Sequence, residues 1–253
     1  MRCGTRSVGA ISASLAMLTW SGNAFGYRPF DGTDAAVAAR RFMEIELGPA
    51  QYAETGDERT LFAPDVVLNF GIDGRWELVL EGALAKSLLP DSGPASLVGN
   101  ALFLKGVLRE GSLQDKAGPS IATEFGFLLP DINSDTPSST GASLTGIVSQ
   151  RWPALTVHFN AGVALTRQQN ADVAFSAIVE GPYEWPIRPV AELFYEREFG
   201  GSETGSALVG AIWRVRDEVS FDVGVRAGWV NGQPLREVRA GVTFGFDLFA
   251  GGR

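Results

Sequence analysis

Cysteine and histidine are almost missing from this 253-residue sequence, which has one of each, Cys3 and His158. A single thiol excludes a disulfide within the chain, and a single histidine argues against a zinc site, so we expect no metal and no cofactor. No internal run approaches the ~18 uncharged apolar residues of a membrane-spanning helix. Basic residues number 21 against 29 acidic ones, and the net charge of −8 argues against nucleic acid as a partner.

The sequence opens with a stretch that is typical of an export signal. Arg2 and Arg6 give a positive start, Ile11 to Trp20 form a short apolar core, and residues 22–24 are small enough for cleavage. The alternative is a buried first helix, but the polar stretch that follows suits processing better. Removal of this signal leaves a net charge near −10, because it carries two basic residues and no acidic one.

The predicted organisation therefore has three parts. Residues 1–24, which include Cys3, are a signal peptide. Residues 25–41 are an N-terminal segment without strand alternation, and residues 42–253 are the main domain.

From residue 42 onward, apolar and polar residues alternate, and successive side chains of a strand point to opposite faces. We count about twelve such segments, each near the ~9–11 residues that a tilted strand needs to cross a bilayer. The fold class predicted is all-β, an antiparallel transmembrane β-barrel of about 12 strands over residues 42–253. Residues 25–41 are then an N-terminal periplasmic segment or a plug of the lumen, and the expected location is the bacterial outer membrane. The clearest segments are 62–71, 155–166, 172–180, 221–229 and 238–247, and the weaker ones are 42–53, 76–88, 99–109, 120–129, 141–151, 187–198 and 206–215.

The apolar face of these strands could line a soluble core or face lipid. Export and the lack of cysteine favour an envelope protein, and a closed barrel leaves no unpaired strand edge, which lipid would not tolerate. Aromatic side chains also collect near strand ends, as they do at membrane interfaces. One rim is predicted to hold Phe70, Trp76, Trp152, Tyr183, Trp185, Trp213 and Phe246, and the other Tyr52, Phe62, Phe199 and Trp229.

If lipid faces the apolar side, the polar side of each strand lines the lumen. The predicted lining is Asp65, Asn69, Glu77, Glu81, Lys105, Arg109, Glu124, His158, Glu192, Glu196, Arg214, Asp222, Arg226 and Arg239. Paired glutamates could serve acid/base chemistry, but we favour neutralisation of Glu77, Glu81, Glu192 and Glu196 by Lys105, Arg109, Arg214 and Arg226.

Nucleophilic catalysis would have to use His158, which is flanked on its face by Thr156 and Asn160, with Ser176 on the next strand. A phospholipase needs its serine and histidine exposed to lipid, whereas the phase of His158 points inward. A lone histidine in a polar lumen is more often a lining residue. We therefore predict no catalytic residue and no enzyme.

Connections along the chain alternate in length. Those at 72–75, 151–154 and 216–218 are tight, and those at 86–96, 130–141 and 198–206 are long and polar. With the first strand leaving the periplasm, the tight turns fall on the periplasmic side, as in outer-membrane barrels. The connections at 109–119 and 180–188 are long exceptions.

About twelve strands give a backbone radius near ~12 Å, and lining side chains leave a narrow bore. One segment could block it, and the candidate is the stretch before the first strand. One hypothesis has Pro29, Phe30 and Asp34 docked in the lower lumen as a plug. The other is a disordered periplasmic tail.

The stretches RPFDGTDAAVAAR, RRFMEIELG, GRWELVLEGAL and VRAGVTFGFDLF resemble the outer-membrane barrel family named for the meta pathway of phenol degradation. Pro29, Thr33, Asp34 and Ala35 match the Pro-x-x-Thr-Asp-Asp-Ala stretch that opens the mature proteins of that family, with one Asp missing. The family is regarded as transporters, so the resemblance implies uptake of small aromatic or hydrophobic compounds.

Three functions stay open at this point. The first is a channel or transporter for small solutes, the second is a structural or adhesive barrel with a filled lumen, and the third is an outer-membrane lipid hydrolase. The expected partners are outer-membrane lipid, the barrel-assembly machinery and a small-molecule solute.

Overall fold

A computed structural model describes residues 27–90, 92–134 and 138–248, which form one closed antiparallel barrel. The predicted signal peptide lies outside the described residues. The prediction of a twelve-stranded barrel is confirmed. The strands are β1 Phe42–Thr55, β2 Glu58–Gly71, β3 Trp76–Ser87, β4 Ser96–Arg109, β5 Ser120–Leu128, β6 Gly141–Arg151, β7 Thr156–Leu165, β8 Ala171–Glu180, β9 Ile187–Glu198, β10 Glu203–Arg216, β11 Val219–Val230 and β12 Gln233–Asp247.

Each strand pairs with its neighbours in the chain, and the barrel is closed by β1 and β12. In that seam Met43 lies opposite Phe246 and Tyr52 lies opposite Val238, with a bulge between Leu47 and Ala50. Closure gives every strand two partners, so no strand edge is left unpaired. Among the described residues, no helix is long and apolar enough to cross a membrane.

The two faces of the wall are distributed as a membrane barrel requires. Large apolar side chains are exposed outside, with 65% of Leu193 and 57% of Phe159 accessible, whereas the inward side chains of Glu77 and Lys105 are buried at 3% and 5%. In the last strand Val238 is half exposed and its neighbour Arg239 is buried. A water-soluble fold would bury the apolar face instead, so the apolar face of this barrel faces lipid.

We call the end of the barrel where β1 begins and β12 ends the lower end, and the opposite end the upper end. Lower connections are 72–75, 110–119, 152–155, 181–186 and 217–218, and upper ones are 56–57, 88–95, 129–140, 166–170, 199–202 and 231–232. The long upper loop predicted at 198–206 is wrong. Polar residues from Glu203 onward continue β10 and pair with β9, which leaves a four-residue connection.

Aromatic side chains mark both ends of the wall. Trp152, Trp185 and Trp213 are half exposed at the lower end, and Phe199 and Trp229 are exposed at the upper end. The indole can rest in the interface there while its N–H stays in contact with water. Tyr183 departs from the prediction, because its ring is covered by arginine side chains instead of facing lipid.

Candidate functional site

The lumen contains the chain segment that precedes β1. We call residues 27–41 the inner segment. It has no regular secondary structure, and its residues bond to one part of the wall after another. The hydrogen-bonded atoms, with the inner segment first, are Pro29 O with Arg239 Nη1 of β12 (2.7 Å), Gly32 N with Glu192 Oε1 of β9 (2.8 Å), Thr33 N with Asn160 Oδ1 of β7 (3.1 Å), Ala35 N with Ser149 Oγ of β6 (2.9 Å), Ala38 N with Glu77 Oε2 of β3 (2.6 Å) and Arg41 N with Gly71 O of β2 (2.8 Å). The inner segment therefore follows the inside of the wall around the barrel before it enters β1.

Side chains of the wall replace the hydrogen bonds that a strand would have made. Buried backbone N–H groups need acceptors, and the inner segment supplies only some of them itself, such as Tyr27 O for the N–H of Phe30 and Asp34 Oδ1 for that of Ala36. Glu192 accepts from the N–H groups of both Asp31 (2.9 Å) and Gly32 (2.8 Å). Glu77 accepts from the N–H of Ala38. The lumen carboxylates thus hold the backbone of the inner segment.

Arginines fix the first part of the inner segment. Arg28 donates to Asp65 Oδ2 at 2.5 Å and lies 3.7 Å from Asp222. Asp31 forms ion pairs with both Arg226 and Arg239, and these guanidiniums also pair with Glu237. Buried charges are tolerated when they are paired with charges of opposite sign, and each of these arginines lies next to at least one carboxylate.

A second ionic contact fixes the middle of the inner segment. Lys105 Nζ lies 3.4 Å from Asp34 Oδ1 and 3.3 Å from Glu77 Oε1, and it donates to Thr33 Oγ1 at 3.1 Å. The side chains of Lys105 and Glu77 are almost fully buried. One ammonium therefore joins the inner segment to β3 and β4.

His158 is part of a hydrogen-bonded row at the lower end of the lumen. Its Nδ1 lies 2.7 Å from Ser149 Oγ, and its Nε2 lies 3.1 Å from Glu180 Oε1. The ring of Tyr27 meets the imidazole edge-on at 5.1 Å. Because Ser149 Oγ also accepts the Ala35 N–H, this row ends on the inner segment.

Gly32 lies where the inner segment runs close to β7 and β8. A Cβ on this residue would overlap Ser176 Oγ, with Asn160 Nδ2 and Ile178 Cδ1 both 3.1 Å away. A side chain at this position would force the inner segment away from β7 and β8. The space at residue 32 therefore favours glycine.

A cavity of about 610 Å³ remains in the lumen, bounded by both the inner segment and the wall. Glu81, Glu124 and Phe194 line its upper part, and Leu113, Arg151 and Tyr183 line its lower part. The lumen is therefore narrowed by the inner segment without being filled.

Most of the predicted lining residues point inward, but their partners differ from those expected. Of the four glutamates, Glu77 pairs with Lys105 as proposed, whereas Glu192 bonds to backbone N–H groups. Glu81 and Glu196 form no ion pair with a basic group among the described residues. The buried members of the lining are Asn69, Glu77, Lys105, His158, Glu192, Asp222 and Arg239, and the half-buried members are Asp65, Glu81, Glu124, Glu196, Arg214 and Arg226.

The prediction for Arg109 is wrong. A register shift between Val107 and Arg109 ends the regular alternation of β4. The exposed guanidinium of Arg109 donates to the carbonyls of Ala117 and Pro119 in the lower connection. Arg109 therefore stabilises the lower connection 110–119 instead of lining the lumen.

Sequence analysis missed several residues of the lumen. Glu44, Glu46 and Glu237 alternate with apolar residues in β1 and β12, so their phase could have revealed them. Arg28 and Tyr27 lie in a stretch without periodicity, and no pattern in the sequence connects them with distant strands. Burial raises the pKa of the Tyr27 phenol well above its usual range, helped by Glu180 and Asp34.

A separate cluster lies at the lower mouth, where the connection 181–186 carries Tyr183. Its ring centroid is 3.9 Å from the guanidinium carbon of Arg151, 5.3 Å from that of Arg214 and 5.6 Å from that of Arg188. Arg188 also pairs with Glu180 at 3.2 Å. Burial raises the pKa of the Tyr183 phenol, although the three guanidiniums act in the opposite direction.

A closed wall with apolar side chains outside and paired charges inside defines a membrane-spanning β-barrel of the outer-membrane type. Solved structures with this fold include an outer membrane channel from Pseudomonas putida F1, with a TM-score of 0.60 and 10% identity over 86% of this chain and 100% of that chain. The NanC porin has a TM-score of 0.55 and 7% identity, over 80% of this chain and 98% of that one. The KdgM porin has a TM-score of 0.53 and 15% identity, over 80% and 99%.

At such identities the likeness shows the fold. Comparison of the sequence with protein-family models gives no match, and comparison with curated proteins gives none either.

Proposed function

We propose that this chain is an outer-membrane channel for small solutes and that its inner segment restricts the bore. The observation that supports this most is the cavity of about 610 Å³, which is bounded by polar wall residues and by the inner segment. A barrel with a purely structural role needs no such space. The similar solved structures, which are a channel and two porins, agree with this proposal.

The part of the inner segment that acts as the plug is residues 27–38, with Pro29, Phe30 and Asp34 in the lumen. Pro29 is buried against Arg239, and Asp34 is held by Lys105. The contacts are hydrogen bonds and ion pairs to side chains, which can exchange with water when the segment leaves. The inner segment is therefore suited to move without disturbing the strand ladder.

Planar-bilayer conductance of the wild type and of a variant lacking residues 27–38 tests this function. We expect a small current for the wild type and a several-fold larger one for the deletion. The control Gly93→Ala, in the upper connection 88–95, adds a Cβ that meets no atom and should keep the wild-type current. Equal currents for wild type and deletion would reject the plug, and no current from either would favour a structural barrel with a filled lumen.

We further propose that the lower end faces the periplasm, that residues 1–24 are removed on export, and that the chain belongs to the barrel family of the meta pathway. The match of Thr33 and Asp34 to the opening stretch of that family supports the last point. Small aromatic or hydrophobic compounds are then the proposed solutes. N-terminal sequencing of the protein from outer membranes tests the cleavage, and a first residue other than Phe25 would contradict it.

We propose no enzymatic activity. His158 and Ser149 are buried in the lumen and away from the lipid face, at 1% and 0% exposure. A lipid-hydrolysis assay with the purified barrel tests the alternative, and hydrolysis that Ser149→Ala abolishes would favour the hydrolase.

A further inference from the structure

The cluster at the lower mouth combines three guanidiniums with one aromatic ring. The connection 181–186 turns Tyr183 under the lumen, where β6, β9 and β10 bring Arg151, Arg188 and Arg214 to it. These arginines are far apart in the sequence and belong to strands that are not all adjacent. Their convergence on Tyr183 is therefore a property of the folded mouth.

Arg151 has one buried donor, Nε, without an acceptor among the described residues. Its guanidinium lies 3.9 Å from the Tyr183 centroid. A guanidinium stacked on a ring keeps its N–H groups in its own plane, where they fit a carboxylate bidentately. A buried charged donor without a partner is costly, which indicates that an acceptor belongs there.

The charge around the ring is positive by about one unit. Arg151, Arg188 and Arg214 contribute three positive charges, and Glu180 and Glu184 are the acidic groups that face the cluster. Glu180 is already engaged by Arg188 and His158. A bound monoanion would balance the remaining positive charge.

The space above the cluster suits an organic body. Arg151 and Tyr183 line the same cavity as Val37 and Leu113, so an anion held at the mouth could extend an apolar group upward. We propose that Arg151 and Arg214, supported by Tyr183, form a binding site for the carboxylate of a small organic monoanion at the lower mouth. The site deepens the proposed channel function by naming a solute class, but binding itself needs no current.

Titration of the full, detergent-solubilised barrel with 4-fluorobenzoate, followed by fluorine NMR, tests the site. We expect saturable binding for the wild type and none for 4-fluorobenzyl alcohol, which has the same ring and no charge. Arg151→Gln and Arg214→Gln should each weaken binding about tenfold, because each removes a charge-assisted hydrogen-bond donor. The control Arg75→Gln, an exposed arginine at the same end, should leave binding unchanged.

Two aromatic variants separate a binding role from packing. Tyr183→Phe keeps the ring that the guanidiniums stack on and should retain binding, whereas Tyr183→Leu should lose most of it. Heat-modifiable gel mobility verifies that each variant is folded. Equal affinity in wild type, Arg151→Gln and Arg214→Gln, or equal binding of the alcohol, would overturn the site.

The binding result and the conductance result are independent. Binding without current would support the anion site and reject the channel. Current without binding would support the channel and reject the anion site.

Discussion

Lys105 and Glu77 face each other directly across the β3–β4 pair, with Nζ and Oε1 3.3 Å apart and only 6% and 5% of their side chains exposed. The same ammonium is the ionic partner of Asp34 in the inner segment. One charge in the wall thus stabilises both a strand pair and the material inside the barrel.

Replacement of Lys105 by Met should therefore destabilise the barrel and loosen the inner segment. Loss of one partner from a buried ion pair costs about 3–5 kcal/mol, because the other charge stays buried without compensation. Urea unfolding in detergent measures the change. Lys116→Met, which removes an exposed lysine next to Glu110, is the control and should have no measurable effect. Equal stability of the two variants would contradict this account of the pair.

Gly32→Ala should push the inner segment away from β8 and raise the single-channel current. The added Cβ would overlap Ser176 Oγ, and Ser176→Ala in the same chain should restore part of the wild-type current by removing that oxygen. Gly93→Ala is the control, since a Cβ there meets no atom. An unchanged current in Gly32→Ala would argue that the segment does not limit flow.

Val223→Arg should reduce the folded yield in outer membranes, because Val223 is half exposed on the lipid face. An arginine near the bilayer midplane costs about 2–4 kcal/mol. Val223→Leu keeps the face apolar and should fold normally. Gly224→Arg, on the lumen face, should narrow the pore and displace the inner segment, because a Cβ at Gly224 would lie 3.3 Å from Pro29. Yields that do not differ between Val223→Arg and Val223→Leu would speak against this orientation of the wall.

Ser149→Ala should destabilise the lower lumen by about 1–3 kcal/mol, since it leaves the buried Ala35 N–H without its acceptor and His158 without its neighbour. Thermal unfolding followed by gel mobility measures the loss. Ser139→Ala, in an exposed connection, is the control. A Tm equal to that of the wild type would mean that the row around His158 does not hold the segment.

The strands could be predicted from sequence because each residue of a lipid-spanning wall faces either lipid or lumen. In β7 the apolar Phe159 and the polar His158 follow this rule, and the predicted limits agree with the observed strand. The rule weakens outside the bilayer, where Glu203 and Thr204 extend β10 without alternation. The rule also fails at Arg109, where a bulge changes the alternation of side chains in β4.

The hydrogen-bond partners of the lumen residues could not be predicted from the alternation of polar and apolar residues. Periodicity states that Glu192 points inward, but not that it meets Asp31 and Gly32, which are about 160 residues away in the chain. Such contacts depend on the path of a segment without regular structure, and that path is set by the barrel that encloses it. The Tyr183 cluster was missed for a similar reason, because its loop bends inward instead of resting at the interface.

The course of residues 28–41 has a mechanical consequence. A thin cylinder of twelve strands can be squeezed into an oval by the lateral pressure of the surrounding lipid. The inner segment is hydrogen-bonded to β12, β9, β7, β6, β3 and β2 in succession. It therefore resists that flattening, because a change in the barrel's diameter would stretch some of these hydrogen bonds. Departure of the inner segment would then make the barrel easier to deform at the same moment as it widens the passage.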